Sequence, residues 1–271
     1  MAIRVELDNA LAAAVGDRHG LGVQEVEAVF ARSQDILASI EADRAAGHLG
    51  FLDLPDQDAP VRDVMQYAER VKGRFRNLVV LGIGGSALGS LVLHRALNHL
   101  NWNDLSDADR SGQPRYFLVD NVDPELVTCV LDVCRPAETL FIVISKSGGT
   151  PETVAAFRHI KPMLHMALGD AWTEHVVMIT DPNRGWLREV ASEFGLASFA
   201  VPPNVGGRFS VFTPVGLLPA ALVGLPVLEL LAGAKHAQQL MHGPVEANWP
   251  YQLAAIHWLA DTQKGKHVSV M

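Results

Sequence analysis

Five short apolar runs alternate with segments of helical periodicity along the middle of the chain. The runs are NLVVLGI, YFLVD, TLFIVIS, HVVMIT and ASFAVP, spread over residues 77–202. Segments with apolar residues at helical spacing separate them, such as PETVAAFRHIKPMLHMAL after TLFIVIS. Because uninterrupted apolar strands are buried on both faces, this pattern predicts an α/β fold. We expect a doubly wound, mostly parallel five-stranded sheet with helices on both faces.

The flanking segments are predicted to be helical. Residues 23–45 have the pattern of one amphipathic helix, and residues 60–73 have that of a second. The apolar stretch 211–234 is interrupted by prolines, which favours a buried helix pair over a membrane span. The final residues, GKHVSVM, are predicted to begin a strand.

These patterns predict three parts. Residues 1–72 form a helical extension and residues 73–225 form the α/β domain. Residues 226–271 supply connecting helices and the first strand of a second, truncated domain.

Charge and targeting signals narrow the class of protein. The 271 residues carry a formal net charge of −8, which does not suit a nucleic-acid binder that neutralises phosphates over a wide surface. One local anion pocket remains compatible with that charge. The first twenty residues include acids where a signal peptide needs an apolar core. We therefore predict a cytoplasmic protein that binds neither nucleic acid nor membrane.

A glycine-rich loop, LGIGGSALGS, follows the first apolar run. Its glycines allow close approach of the backbone to a ligand, and the helix that Ser86 is predicted to open suits an anion. As a dinucleotide motif it lacks a correctly placed acid, because Asp120 lies 33 residues beyond Ala87 rather than about 20. It also lacks the lysine of a P-loop and has Leu88 where a nucleophile elbow has glycine. A tight turn needed only for packing stays an alternative.

A second loop, SKSGGT, follows the third apolar run and is rich in hydrogen-bond donors. Its hydroxyl groups, its one cation and its backbone N–H groups suit a compact dianion such as a phosphate monoester. Thr150 is predicted to be the N-cap of the next helix, with Pro151 as the first helical residue. The alternative is a surface turn with an incidental lysine. The six residues of the loop are Ser145, Lys146, Ser147, Gly148, Gly149 and Thr150.

Three motifs together resemble the glucose-6-phosphate isomerase (phosphoglucose isomerase) family, bacterial type. They are LGIGGSALGS, ISKSGGTPET and NVGGRFSVFTPVGLLPA, in that order over roughly residues 78–220. The resemblance implies the SIS (sugar isomerase) fold, which binds phosphosugars. It also implies an aldose–ketose isomerase of glycolysis and gluconeogenesis that interconverts glucose 6-phosphate and fructose 6-phosphate. Ring opening and C1–C2 proton transfer through a cis-enediolate would need no metal or nucleotide cofactor, and the full-length enzyme would be a homodimer.

The resemblance also implies roles for individual residues. The six residues of the second loop would hold the phosphate, with Gly148 and Gly149 offering backbone N–H groups. Gly85 and Ser86 would line the sugar side of the pocket. Arg208 would stabilise the enediolate oxygen, and Glu152 would orient the ring-opening histidine. The alternatives are a surface ion pair for Arg208 and an ordinary first-turn carboxylate for Glu152.

Part of the family pattern has no match in this sequence. The proton-transferring glutamate, the ring-opening histidine and a late lysine of the family are missing, so we expect an amino-terminal part whose second α/β domain is absent. A non-catalytic, phosphosugar-sensing module of the same fold is the main alternative, although it would not need Arg208. A nucleotide-dependent oxidoreductase is disfavoured by the misplaced acid.

Overall fold

The computed structural model describes residues 5–269. The chain forms two compact units, one made of Met1–His48 with Ala232–Met271 and the other of Leu49–Leu231. This division differs from the predicted boundaries at residues 72 and 225. The helix just before residue 72 packs on the sheet and so belongs to the α/β unit.

The regular elements follow the predicted alternation. The helices are α1 (Ala12–Val15), α2 (Val23–Phe30), α3 (Ser33–Ala45), α4 (Asp58–Val71), α5 (Gly85–Leu97), α6 (Pro124–Val133), α7 (Pro151–Leu168), α8 (Trp186–Glu193), α9 (Pro214–Leu222), α10 (Val227–Met241) and α11 (Trp249–Lys264). The strands are β1 (Asn77–Leu81), β2 (Arg115–Val119), β3 (Thr139–Ser145), β4 (Val176–Thr180) and β5 (Ala197–Ala200). Short 3-10 helices include Gly50–Asp56, Trp102–Asp104 and Gly207–Phe209. Within the described residues, no helix is both long enough and apolar enough to cross a membrane.

All five strands are parallel, in the order β2-β1-β3-β4-β5. The chain therefore changes direction of winding between β1 and β3. Ligands of such sheets bind beyond the carboxyl ends of the strands at this point. Both glycine-rich loops predicted from the sequence leave the sheet here, one after Leu81 and one after Ser145.

Side chains of the central strands fill two cores, one on each face of the sheet. On β3, Leu140, Ile142 and Ile144 pack in the core that contains α4 and α9, whereas Phe141 and Val143 pack with α6, α7 and α8. Every residue of β3 is buried, as its continuous apolar run predicts. The predicted doubly wound α/β fold is confirmed.

Two local predictions differ from the structure. The predicted single helix over residues 23–45 is two helices, α2 and α3, which separate where the N–H of Arg32 bonds to the carbonyl of Val29, three residues back. No glycine or proline marks that break, so the apolar pattern runs through it. Residues 265–269 form no strand, because no described strand pairs with them. The remainder of the predicted strand, residues 270–271, lies outside the described residues.

A buried polar cluster joins α5 to β2. The His94 ring stacks on Tyr116 with 4.4 Å between ring centroids, and the Asn98 side-chain amide donates to His94 Nδ1 at 3.0 Å. The Ser90 and Tyr116 hydroxyl groups lie 2.9 Å apart. Burial, with a smaller contribution from Arg95, lowers the pKa of His94 to about 4. The helix that starts at the first glycine-rich loop is thus anchored by a neutral histidine.

This pKa makes the stability of the α/β unit depend on pH. Unfolded, His94 has a pKa near 6.5, so between pH 6.5 and about 4 the unfolded chain binds the proton preferentially. The free energy of unfolding should therefore fall as the pH falls through this window. A shift of this size corresponds to about 3 kcal/mol, so we expect the free energy of unfolding to fall by about 2–3 kcal/mol between pH 7 and pH 4.

Urea unfolding at several pH values between 7 and 4 measures this loss. His94→Gln should flatten the pH dependence, whereas His159→Gln, at an exposed site on α7, should leave it unchanged. Equal pH dependence in both variants would show that His94 is not the titrating group.

Candidate functional site

The second loop, here called the donor loop (Ser145–Thr150), is organised by its first hydroxyl group. Ser145 is fully buried, and its Oγ lies 2.7 Å from Thr150 Oγ1. The same atom accepts from the Thr150 backbone N–H at 3.3 Å and lies 3.4 Å from Ser147 Oγ. The structure therefore brings all three predicted hydroxyl groups together. Ser147 is exposed and Thr150 half-exposed, so these two are the hydroxyl groups that a ligand from solvent reaches.

The two glycines of the donor loop have different surroundings. Gly148 is buried with φ +71, and a Cβ there would lie 3.0 Å from both Thr180 Oγ1 and the Gly185 Cα. Gly149 is exposed, with open space where a Cβ would lie. The Gly148 N–H donates to the Ser145 carbonyl at 3.1 Å, and the Gly149 N–H donates to Ser147 Oγ at 3.3 Å. Both N–H groups already have partners inside the loop, so they are less available to an anion than their sequence predicts.

Lys146 connects the donor loop to the segment after β5. Its Nζ donates to the Pro203 carbonyl at 3.0 Å, and the side chain is half-exposed. An ammonium group has three N–H donors, so the remaining two can serve an anion. Thr150 is the N-cap of α7 and Pro151 its first residue, as predicted. The Thr150 side chain does not cap the helix, because its hydroxyl is bonded to Ser145 instead.

The first glycine-rich loop packs directly against the segment that carries Arg208. A Cβ at Gly85 would overlap the carbonyl oxygen of Gly207, so only glycine allows this approach. The Ser210 hydroxyl lies 2.7 Å from the Gly207 carbonyl and 3.4 Å from that of Gly85. Gly85 begins α5, one residue before the predicted start at Ser86, and Gly84 precedes it with φ +55. Two motifs that are more than 100 residues apart in sequence therefore meet at one helix start.

Arg208 lies in the 3-10 helix Gly207–Phe209 and is exposed. Its guanidinium group has no hydrogen-bond or ion-pair partner among residues 5–269, so the structure does not support the alternative of a surface ion pair. The neighbouring Phe209 ring stacks on Phe51 with 4.6 Å between centroids, which holds this turn in place. The structure thus presents, beside the first loop, a cation that has no partner in the described part of the chain.

Glu152 lies in the first turn of α7 and is half-exposed. Its carboxylate has no partner within the part of the chain that the structure describes. This position fits the alternative role of an ordinary first-turn carboxylate, because the helix dipole favours a negative charge at the N-terminal end of a helix.

Comparison with known proteins identifies the family. The phosphoglucose isomerase family profile matches residues 64–269. The chain belongs to the phosphoglucose isomerase family. The resemblance seen in the three sequence motifs is thereby confirmed.

This member of the phosphoglucose isomerase family is similar to two of its relatives over most or all of its length. It is 40% identical to glucose-6-phosphate isomerase of Carboxydothermus hydrogenoformans, over 100% of this chain and 58% of that protein. It is 40% identical to glucose-6-phosphate isomerase of Rubrobacter xylanophilus, over 93% of this chain and 57% of that protein. The chain therefore spans a little more than half the length of these relatives.

Solved structures agree with the phosphoglucose isomerase assignment. A Thermus thermophilus protein described as hypothetical superposes with a TM-score of 0.76 at 35% identity, covering 88% of this chain and 55% of its own. A glucose-6-phosphate isomerase of Chlamydia trachomatis superposes with a TM-score of 0.65 at 26% identity, covering 76% and 38%.

In this phosphoglucose isomerase family member, one turn that packs against the donor loop is not predicted from the sequence. The end of β4 and the residues that follow it, here called the β4 turn (Thr180–Gly185), lie directly against the donor loop, and the space beside Gly185 is filled by Ser147 and Gly148. Its sequence, TDPNRG, has an aspartate and a glycine typical of a tight turn. That signal indicates a turn but not what the turn packs against.

Proposed function

We propose that this chain is the phosphosugar-binding part of an aldose–ketose isomerase that interconverts glucose 6-phosphate and fructose 6-phosphate. One observation supports it most strongly: the three motifs converge where the winding of the sheet changes direction. The donor loop reaches the Arg208 segment through Lys146 and Pro203, and the first loop reaches it through Gly85 and Gly207. A ligand at this edge meets all three.

The donor loop suits the phosphate end of the substrate. Ser147 and Thr150 present hydroxyl groups to solvent, and the Lys146 ammonium adds a positive charge. The loop leads directly into α7, whose N-terminal end favours an anion. Donors of different kinds around one small volume match the several oxygens of a phosphate monoester.

Arg208 suits the reacting end of the substrate, which contains C1 and C2. Isomerisation moves a proton between C1 and C2, and negative charge develops on an oxygen of the enediolate intermediate. A guanidinium group that stays charged at all working pH values stabilises such an oxygen electrostatically. Arg208 is unpaired among the described residues, so no ion pair has to break before it acts. It lies in a different segment from the donor loop. The proposal therefore assigns the phosphate group and the reacting carbons of the substrate to different segments of the chain.

A non-catalytic phosphosugar-sensing module would need the donor loop but not Arg208. The isomerase is therefore the better-supported proposal. We also propose, from the family, that the full-length enzyme is a cytoplasmic homodimer of glycolysis and gluconeogenesis. Its substrates are phosphosugars rather than nucleic acids, in keeping with the net charge of −8.

Lys146→Ala should weaken binding of glucose 6-phosphate at least tenfold. A hydrogen bond to a charged group contributes about 1.5–3 kcal/mol, and about 1.4 kcal/mol is tenfold in affinity. Calorimetric titration of the 271-residue chain measures the effect. Lys72→Ala is the matched control, because it removes the same charge at an exposed site on the same unit. Unchanged affinity in Lys146→Ala, or equal weakening in both variants, would contradict the assignment of the donor loop.

A further inference from the structure

The donor loop rests on the β4 turn without a gap. A Cβ at Gly185 would overlap the Ser147 carbonyl oxygen and would lie 2.9 Å from the Gly148 Cα. The Gly148 carbonyl accepts from the N–H of Leu187, which is one of the free donors at the start of α8. The middle of the donor loop therefore caps α8, and the position of this helix start sets the position of the loop.

The β4 turn is itself held firmly. Asp181 Oδ1 accepts from the backbone N–H groups of Asn183 at 2.9 Å and of Arg184 at 3.1 Å. These bonds, the one from Asn183 first, hold the pKa of the Asp181 carboxyl below its ordinary value. Arg188 donates through Nε to the Asp181 carbonyl at 2.9 Å and through Nη1 to Ser198 Oγ on β5 at 2.8 Å. The turn is thus tied both to its own helix and to the edge of the sheet.

One buried hydroxyl under the donor loop, that of Thr180, lacks a partner in the described part of the chain. Thr180 is fully buried, and its Oγ1 has no hydrogen-bond partner among the described residues. It lies 3.0 Å from the place where a Cβ on Gly148 would be, directly beneath the middle of the loop. An unpaired buried hydroxyl is unfavourable and rare in folded proteins. The Thr180 hydroxyl therefore lies against the donor-loop backbone at Gly148, with its hydrogen-bonding capacity unused among the described residues.

We propose that Thr180 and Gly185 are positioning residues for phosphate binding, which hold the donor loop from beneath in the conformation that receives the phosphate. This inference rests on the proposed function. Gly185 acts by leaving room for the Ser147 carbonyl, and Thr180 acts by offering its hydroxyl to the loop in the bound state. Neither residue contacts the phosphate itself.

Gly185→Ala tests the first part. The added methyl group must push the Ser147 carbonyl away, so the affinity for glucose 6-phosphate should fall at least tenfold. Gly195→Ala is the matched control, because Gly195 also has a positive φ, +63, but has open space where the Cβ would lie. Both variants carry backbone strain, so both should melt at a lower temperature, and only Gly185→Ala should lose affinity. Equal affinities in the two variants would overturn the role of Gly185.

Thr180→Val and Thr180→Ser test the second part. Valine keeps the shape and removes the hydroxyl, so the ligand-free chain should unfold at the same or a higher urea concentration. Its affinity for glucose 6-phosphate should nevertheless fall at least threefold, and serine should restore it. Wild-type affinity in Thr180→Val would overturn the role of the hydroxyl. A loss of affinity that serine fails to restore would overturn it as well.

Two further probes separate this inference from the proposed function. If the wild-type chain binds glucose 6-phosphate and Gly185→Ala binds it with the same affinity, only the positioning role is contradicted. Absence of binding of both glucose 6-phosphate and inorganic phosphate to the wild-type chain would contradict the proposed function. In that case the NMR resonances of the Gly148 and Gly149 amides still decide whether Gly185→Ala displaces the donor loop, and unchanged resonances overturn the positioning role.

Discussion

Assayed alone, the 271-residue chain should bind glucose 6-phosphate but convert it to fructose 6-phosphate at least 10⁴-fold more slowly than an ordinary isomerase. The donor loop, the first loop and Arg208 all lie in the unit Leu49–Leu231, so all the residues that we propose to bind the phosphosugar are present in this chain. Proton transfer needs a base within about 2.6–3.2 Å of the proton, directly or through one water. From the family resemblance, we expect that the proton-transferring glutamate and the ring-opening histidine have no counterpart in these residues. The loss of a general base alone lowers the reaction rate by a factor of roughly 10²–10⁴, and the loss of the ring-opening histidine lowers it further.

A coupled assay that detects fructose 6-phosphate measures this directly. Calorimetry on the same preparation, with glucose 6-phosphate as the ligand, shows that the chain is folded and binds. The matched comparison is a protein of the relatives' full length, which should turn over at an ordinary rate of about 10 s⁻¹. Turnover near that value from the 271 residues alone would mean that a base within them has been overlooked, and Glu152 would be the first to replace.

Replacing Arg208 by lysine should lower the turnover number about 10²-fold and change the Michaelis constant less than threefold. Lysine keeps the positive charge but loses the planar arrangement of donors that holds an oxygen anion in a defined position. Removing one such donor from a developing oxyanion costs about 10²–10³ in turnover. Phosphate binding depends on the donor loop, a separate segment, so the Michaelis constant should be nearly unaffected.

Steady-state kinetics on a protein of the relatives' full length test this expectation. Arg62→Lys, at an exposed position on α4, is the control and should change neither constant. If Arg208→Lys raises the Michaelis constant and keeps the turnover number, Arg208 binds the substrate and does not act on the reacting carbons.

The agreement between predicted and observed strands has a simple physical basis. The bounds of β3 coincide with the apolar run Thr139–Ser145, because a central strand covered on both faces must be apolar throughout. The edge strand β5 is half-exposed and shorter than its predicted run. The apolar pattern does not predict the break between α2 and α3, because a local change in hydrogen bonding can interrupt a helix without a glycine or proline.

By itself, the sequence determined the α/β fold and the family, and it supplied the hydroxyl groups and the cation of the donor loop, because apolar periodicity and residue type are local properties. Only the tertiary structure decided which of those groups are free. It buried Ser145, engaged the N–H groups of Gly148 and Gly149, and left Arg208 without a partner among the described residues. It also placed Gly185 beneath the loop, since parallel strands bring their carboxyl ends to one edge however far apart they lie in sequence.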